Sequence, residues 1–421
     1  MCALGVILYY VGRAVMELAG ANQHPHPEPP WWGSLPLKFF LQHAGYTTRL
    51  SLWFVLALQI IVLLQTSALC ALYFVLRRVR VVSAALCVIL AGAALAMLAI
   101  ALSAQTMSES DLYAYVGLAL AEPTAYHPNG IPFSGEGVIL NKLWGLPLLP
   151  SVYGPLWIAI SKGAVASGHS LAQQLAALRW VEVLALGACA AALYVLTRSV
   201  ALVAIVVLNP AMYDLYVVDG HNDLTGVAFV LAAAATRDRY WLSVPLAAAA
   251  GLIKLPFILI ATLAFSGSRH KFLPALGAAL LALVASAAIV GPDYLWALRH
   301  VYLTYGGGTP SLITMAHVLV AVVAVAAIVF ALAKNAFFPG GAWSFVAFGQ
   351  HPSPWYLAWG IPYAVLSGPS GVAFFLTLPL ASALLATFLP ITPIVAALRL
   401  VLVAAIVTTV VLFLRYRREP T

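Results

Sequence analysis

Residues 81–108 carry no charged side chain, and comparable runs of Leu, Ala, Val and Ile recur along the rest of the chain. About 20 such residues in helical form cross the hydrocarbon core of a bilayer. A membrane barrel would need strict apolar–polar alternation instead, and these runs lack it. Composition agrees: 63% of the 421 residues are hydrophobic and only 8% are charged, against about 25% charged residues in a soluble domain. There is too little charge to cover a water-facing surface. The chain therefore reads as an all-α polytopic membrane protein. A cytosolic enzyme, a secreted disulfide scaffold, a nucleic-acid module and a disordered chain are excluded.

Lys and Arg total 21 against 13 acids, a net charge of +8. In a membrane chain this excess marks loops held on the cytoplasmic side. Arg77, Arg78 and Arg80, Arg237 and Arg239, Arg269 and Lys271, Lys334, and Arg415, Arg417 and Arg418 are the anchors. With these inside, spans are expected over about 2–20, 51–76, 81–104, 174–197, 200–216 and 272–290, with a shorter return from Asp223 to Arg237. A pair of short helices is expected over about 241–268, turning near Lys254-Leu-Pro256. Segments 105–173 and 291–310 are expected outside the membrane. Continuing to the basic tail gives about 14 (12–14) helices, both ends cytoplasmic, in the plasma (cell inner) membrane. The apolar stretch 2–19, interrupted by Arg13 and Glu17, reads as an anchor that stays. Cys2, Cys70, Cys87 and Cys189 form no CxxC and no metal-type spacing, so neither a disulfide nor a zinc site is expected.

The acids were not used in that threading. Glu28, Glu109, Asp111, Glu122, Glu136, Asp219, Asp223 and Asp293 nonetheless fall outside, with His127, His221, His300 and His351. Polar chemistry thus gathers at one face. Five groupings stand out. Ser108-Glu109-Ser-Asp111-Leu-Tyr-Ala-Tyr115 sets a carboxylate at the membrane boundary, where it can serve as a general base. Glu109 is the rival base, and a helix-capping acid is the plainer reading. Tyr153-Gly-Pro-Leu-Trp157 punctuates a turn before an amphipathic helix containing Lys162; its aromatics also suit an interfacial belt.

Asp219-Gly-His221-Asn222-Asp223 places four polar side chains in five residues between apolar helices, suited to binding a donor or an acceptor. Lys254, a lone cation between short helices, needs an anion: a phosphate, or Asp219 or Asp223. Arg299 and His300 are further phosphate candidates, with solvated loop charges as the alternative. Gln350-His351-Pro-Ser-Pro-Trp355-Tyr356-Leu-Ala-Trp359 can stack on a sugar face or a prenyl chain, or form a belt. No P-loop, GxGxxG, GxSxG or HExxH occurs in a plausible context, and no internal repeat is visible.

Asp111-x-Tyr-x-Tyr115, Tyr153-Gly-Pro-Leu-Trp157, Asn209-Pro210 followed by Gly220-His-Asn-Asp223, and Trp355-Tyr-Leu-x-Trp359 occur in this order. Over about 105–365 the chain resembles the polyprenol-phosphate-mannose-dependent α-1,6-mannosyltransferases of bacterial lipoglycan synthesis, members of the GT-C glycosyltransferases. The resemblance implies one GT-C domain over 1–421: N-terminal spans 1–104, a catalytic module 105–365 with an amphipathic first extracytoplasmic active-site loop, and C-terminal spans 366–421. It implies Asp111 as the catalytic base, with His221, Asn222, Asp223, Trp355 and Tyr356 in the site. Ala121-Glu-Pro-Thr-Ala-Tyr126-His-Pro128 departs from the family's Asn-Pro-Tyr-like segment.

The function expected is an inverting glycosyltransfer at the extracytoplasmic (periplasmic or exterior) face. A sugar, mannose by the resemblance, passes from a polyprenyl-phosphate donor to a glycan or glycolipid hydroxyl. Lys254 or Arg299 would steady the departing phosphate. No metal, cofactor or nucleic-acid partner is expected. The alternative is a flippase or transporter, whose polar groups belong at the bilayer midplane. A structural envelope subunit would leave the acidic clusters unexplained.

Overall fold

The computed structural model describes residues 2–20, 84–104, 111–130, 150–268, 270–305, 358–364 and 366, with short pieces between 61 and 83 and between 326 and 333. In chain order these form α1 (Cys2–Gly20), α2 (Ala84–Ser103) and α3 (Asp111–Leu120), then a hairpin of β1 (Glu122–Thr124) and β2 (His127–Gly130). There follow α4 (Pro155–Ala166), α5 (Leu171–Thr197), α6 (Val200–Val207), α7 (Asp223–Ala235), α8 (Tyr240–Ile253), α9 (Phe257–Thr262), α10 (Phe272–Val290) and α11 (Asp293–Tyr305). The described residues are mostly helical, as expected of an all-α membrane protein. In hydrocarbon every backbone N–H and C=O must be satisfied within its own segment. Among the described residues α2, α5 and α10 are long and apolar enough to cross a membrane, which makes the chain membrane-embedded.

Local chemistry sets the ends of these helices. Ser83 caps α2, its hydroxyl accepting from the Leu86 amide at 3.2 Å, and Ser199 does the same for α6 through Leu202 at 3.3 Å. The stretch expected as one straight span over 200–216 is broken instead. α6 ends, Asn209 accepts from the Ala211 amide at 3.0 Å, and Pro210 opens a new turn that continues as a π-helical turn, Tyr213–Val218. The two pieces meet at 57°. Proline has no N–H to give the preceding turn, and its ring collides with that turn's carbonyl. The expected pair of short helices over 241–268 is present as α8 and α9, turning at Lys254-Leu-Pro256. Segment 291–310, expected only as an external stretch, contains a further helix, α11.

The chain divides into two compact units. One comprises 1–108, 197–219 and 351–421. In it the Arg13 guanidinium donates to Asp214 Oδ1 at 3.2 Å, and the Tyr9 hydroxyl donates to the same oxygen at 3.0 Å. The Tyr213 hydroxyl donates to the Ala94 carbonyl at 3.3 Å. α1 and α2 are thereby tied to the π-helical turn.

The other unit comprises 109–196 and 220–350. Its core is built from Leu112, Tyr115, Val116, Trp157, Ile158, Leu175, Leu178 and Ile253, supplied by α3, α4, α5 and α8. The hairpin joins this core at its turn. The Tyr126 hydroxyl donates to the Tyr153 carbonyl at 3.0 Å, and the Tyr126 ring meets Tyr294 of α11 at 5.5 Å.

Candidate active site

Four segments of the second unit bring polar groups together on one side of this core. Asp111 is the first residue of α3, and Tyr115 lies one turn further on the same face. Tyr153 arrives on an extended stretch that pairs as a single bridge with Lys254, and the Gly154 amide donates to the Ile253 carbonyl at 2.8 Å. A Cβ at Gly154 would lie 2.2 Å from the Leu252 carbonyl oxygen, so only glycine allows this approach. His221, Asn222 and Asp223 follow Gly220, whose φ of +70° favours glycine and whose Cβ would meet Leu112 at 2.3 Å. Lys254 sits in extended conformation where α8 ends, ahead of Leu255-Pro256.

The resulting contacts centre on two carboxylates. Asp111 Oδ2 lies 3.2 Å from His221 Nδ1 and accepts from the Tyr153 hydroxyl at 3.2 Å. A carboxylate only accepts, so Nδ1 carries the proton. Asp111 Oδ1 takes no hydrogen bond among the described residues, and the side chain keeps 20% exposure. Lys254 Nζ donates to Asp223 Oδ1 at 2.9 Å and stands 5.8 Å from the centre of the Tyr153 ring. The Tyr115 ring packs edge-on against Tyr153 and Trp157, each at 4.9 Å, and its hydroxyl accepts from the Asn222 amide N–H at 3.4 Å. The Asn222 side-chain amide is fully buried and has no hydrogen-bond partner among the described residues.

Burial works to raise the Asp111 pKa. The His221 hydrogen bond and charge, the Lys254 charge and the Tyr153 hydroxyl outweigh it and hold the carboxyl below its ordinary range. At neutral pH the group is a carboxylate that can accept a proton. A low pKa makes it a weak base for a resting alcohol. It suits a hydroxyl whose acidity grows as its oxygen forms a bond.

Asp111, Tyr115, Tyr153, His221, Asn222, Asp223 and Lys254 are therefore brought together, and Asp223 is the partner of Lys254. Asp219 is buried at the end of the π-helical turn and belongs to the first unit. Arg299 and His300 are exposed on α11, where the His300 ring stacks on Trp296 at 4.9 Å. Glu109, His351, Trp355 and Tyr356 lie outside the described residues. Among the described residues no three His, Cys, Asp or Glu side chains gather as a metal site.

Sequence reasoning passed over Glu182. This fully buried carboxyl of α5 accepts from the Thr225 hydroxyl at 2.6 Å, two residues after Asp223 on α7. The signal was available as an acid inside an otherwise apolar span.

Compared with family models, with curated proteins and with solved structures, the chain matches none.

Proposed function

We propose that the protein is an inverting glycosyltransferase of GT-C type that uses a polyprenyl-phosphate sugar. The supporting observation is the state of Asp111: one carboxylate oxygen is held by His221 and Tyr153, while the other takes no bond among the described residues on a side chain that solvent reaches. The acceptor hydroxyl oxygen bonds to the anomeric carbon as the bond from that carbon to the phosphate oxygen breaks. The proton passes to Asp111, and the lipid monophosphate leaves with the electron pair. Lys254, held by Asp223, supplies positive charge for the departing phosphate. Tyr115, Tyr153 and Trp157 shape the wall. Mannose as the sugar, a glycan or glycolipid acceptor, about 14 spans and an extracytoplasmic site in the plasma membrane complete the proposal.

The test is mass spectrometry of products after the purified protein is incubated with candidate polyprenyl-phosphate sugars and glycolipid acceptors. A mass increase of one hexose on the acceptor, lost in Asp111→Asn, is the expected result. Movement of labelled substrate across proteoliposomes without any covalent product would favour a carrier and overturn the reading.

A further inference from the structure

We infer that α11 is an interfacial helix whose outer face seats on the phosphates of anionic phospholipids. The inference does not depend on the proposed activity. α10 is one of the membrane-crossing helices; it ends at Val290, and Gly291 at φ +67° turns the chain. α11 begins two residues later. Its inner side is settled: Tyr294 and Ala297 are buried, and the Tyr294 hydroxyl donates to the Val152 carbonyl at 3.4 Å.

The opposite side carries Leu295, 65% exposed, Trp296, 43% exposed, and the exposed Arg299 and His300. A helix that faced only water would not set a leucine and a tryptophan outward beside its cations. That pairing is the composition of a helix lying in the headgroup layer. His127 stacks on the Trp296 indole at 4.0 Å and His300 at 4.9 Å, so the ring is held in place. Charge selects the occupant. The acid of this helix, Asp293, is taken by His127 Nε2 at 3.2 Å, which leaves the guanidinium of Arg299 and the imidazole of His300 to dominate the outer face. A guanidinium fork matches phosphate oxygens, and the leaflet reached by the end of α10 supplies them.

The test uses the full chain in nanodiscs. The chain has 11 tryptophans, so the Trp296 signal is the difference in emission between wild type and Trp296→Phe. We expect lipids brominated near the headgroup end of the acyl chain to quench that signal at least about twofold, while aqueous iodide leaves it intact. The Arg299→Gln/His300→Gln double variant should weaken quenching in phosphatidylglycerol discs, with on the order of fivefold looser seating, and change nothing in phosphatidylcholine discs. If Trp296→Phe fails to fold, Leu295→Trp reports from the same face. Quenching by iodide rather than bromolipid overturns the inference. So does shielding from both quenchers, which would mean a protein cover. Equal quenching in both disc types with no effect of the double variant overturns the phosphate part, as does an equal change on adding inorganic phosphate in detergent.

Discussion

Two carboxylates in this protein hold similar company to different ends. In the first unit Asp214 collects a tyrosine hydroxyl and a guanidinium on one oxygen, and Arg13 is 1% exposed. In the second, Asp111 collects a tyrosine hydroxyl and an imidazole on one oxygen, while the nearby lysine is committed to Asp223. The first arrangement balances a carboxylate with a cation that never loses its proton. The second balances two carboxylates with one lysine and one histidine, the side chain that titrates near neutrality. An arginine-paired aspartate fastens α1 to a bent helix. A histidine-paired aspartate with an unused oxygen can exchange a proton with a substrate.

The comparison is most exposed to failure at the two aspartates. Asp111→Asn keeps shape and removes the base, so transfer should fall by about 10²–10⁴-fold while the melting temperature barely moves. Comparable losses of turnover and stability together would make Asp111 structural. Arg13→Ala should do the reverse. Leaving Asp214 as an uncompensated buried charge costs about 3–5 kcal/mol, read by thermal unfolding of the purified protein. Arg13→Met combined with Asp214→Leu, which removes both charges, should recover most of that loss.

His221→Gln sharpens the contrast through pH. Burial raises the Asp111 pKa, and the His221 contact is the strongest influence lowering it. The variant's Asp111 should therefore titrate at higher pH, and the acid limb of the pH–rate profile should shift upward. The sign for stability follows. A carboxyl with a depressed folded pKa contributes stability above its unfolded value of about 4, and that contribution disappears as pH falls through the folded value. In wild type the loss is confined to acid below that value. His221→Gln should shrink the contribution, measured as melting temperature against pH. An unshifted acid limb would place the essential carboxyl elsewhere.

The smallest effects concern backbone. Gly220→Ala meets both a positive φ and the Leu112 side chain and should cost about 1–3 kcal/mol. Gly163→Ala, inside α4 with nothing within 4 Å of the new Cβ, should stabilise by up to about 1 kcal/mol. Thermal unfolding of both variants compares a glycine the site needs with one it does not.

Much of this architecture was legible residue by residue. The charge-free run marked α2, and Lys254-Leu-Pro256 marked the turn between α8 and α9. The Gly-Pro after Tyr153 marked the start of α4, since proline suits a helix's first turn and glycine the approach before it. Other features left a weaker trace. The β1–β2 hairpin contains Pro123 and Pro128, residues that argue against a strand except at an edge. The outward Leu295 and Trp296 masked α11, because its apolar face is not the face it buries. Glu182 and Asp214 were readable only as isolated acids in apolar stretches, with no indication of the hydroxyl or guanidinium each meets.

The sequence by itself determined that this chain lives in a bilayer, which segments become helices, and which polar turns stand out against them. Those outcomes follow from hydropathy, periodicity and proline geometry, all of which act over a few neighbouring residues. Only the tertiary structure decided that Lys254 takes Asp223, and that His221 and Tyr153 share one oxygen of Asp111 and leave the other. Such choices depend on ångström-scale distances between segments more than a hundred residues apart. Packing around Gly154 and Gly220 sets those distances, and no local rule of sequence contains them.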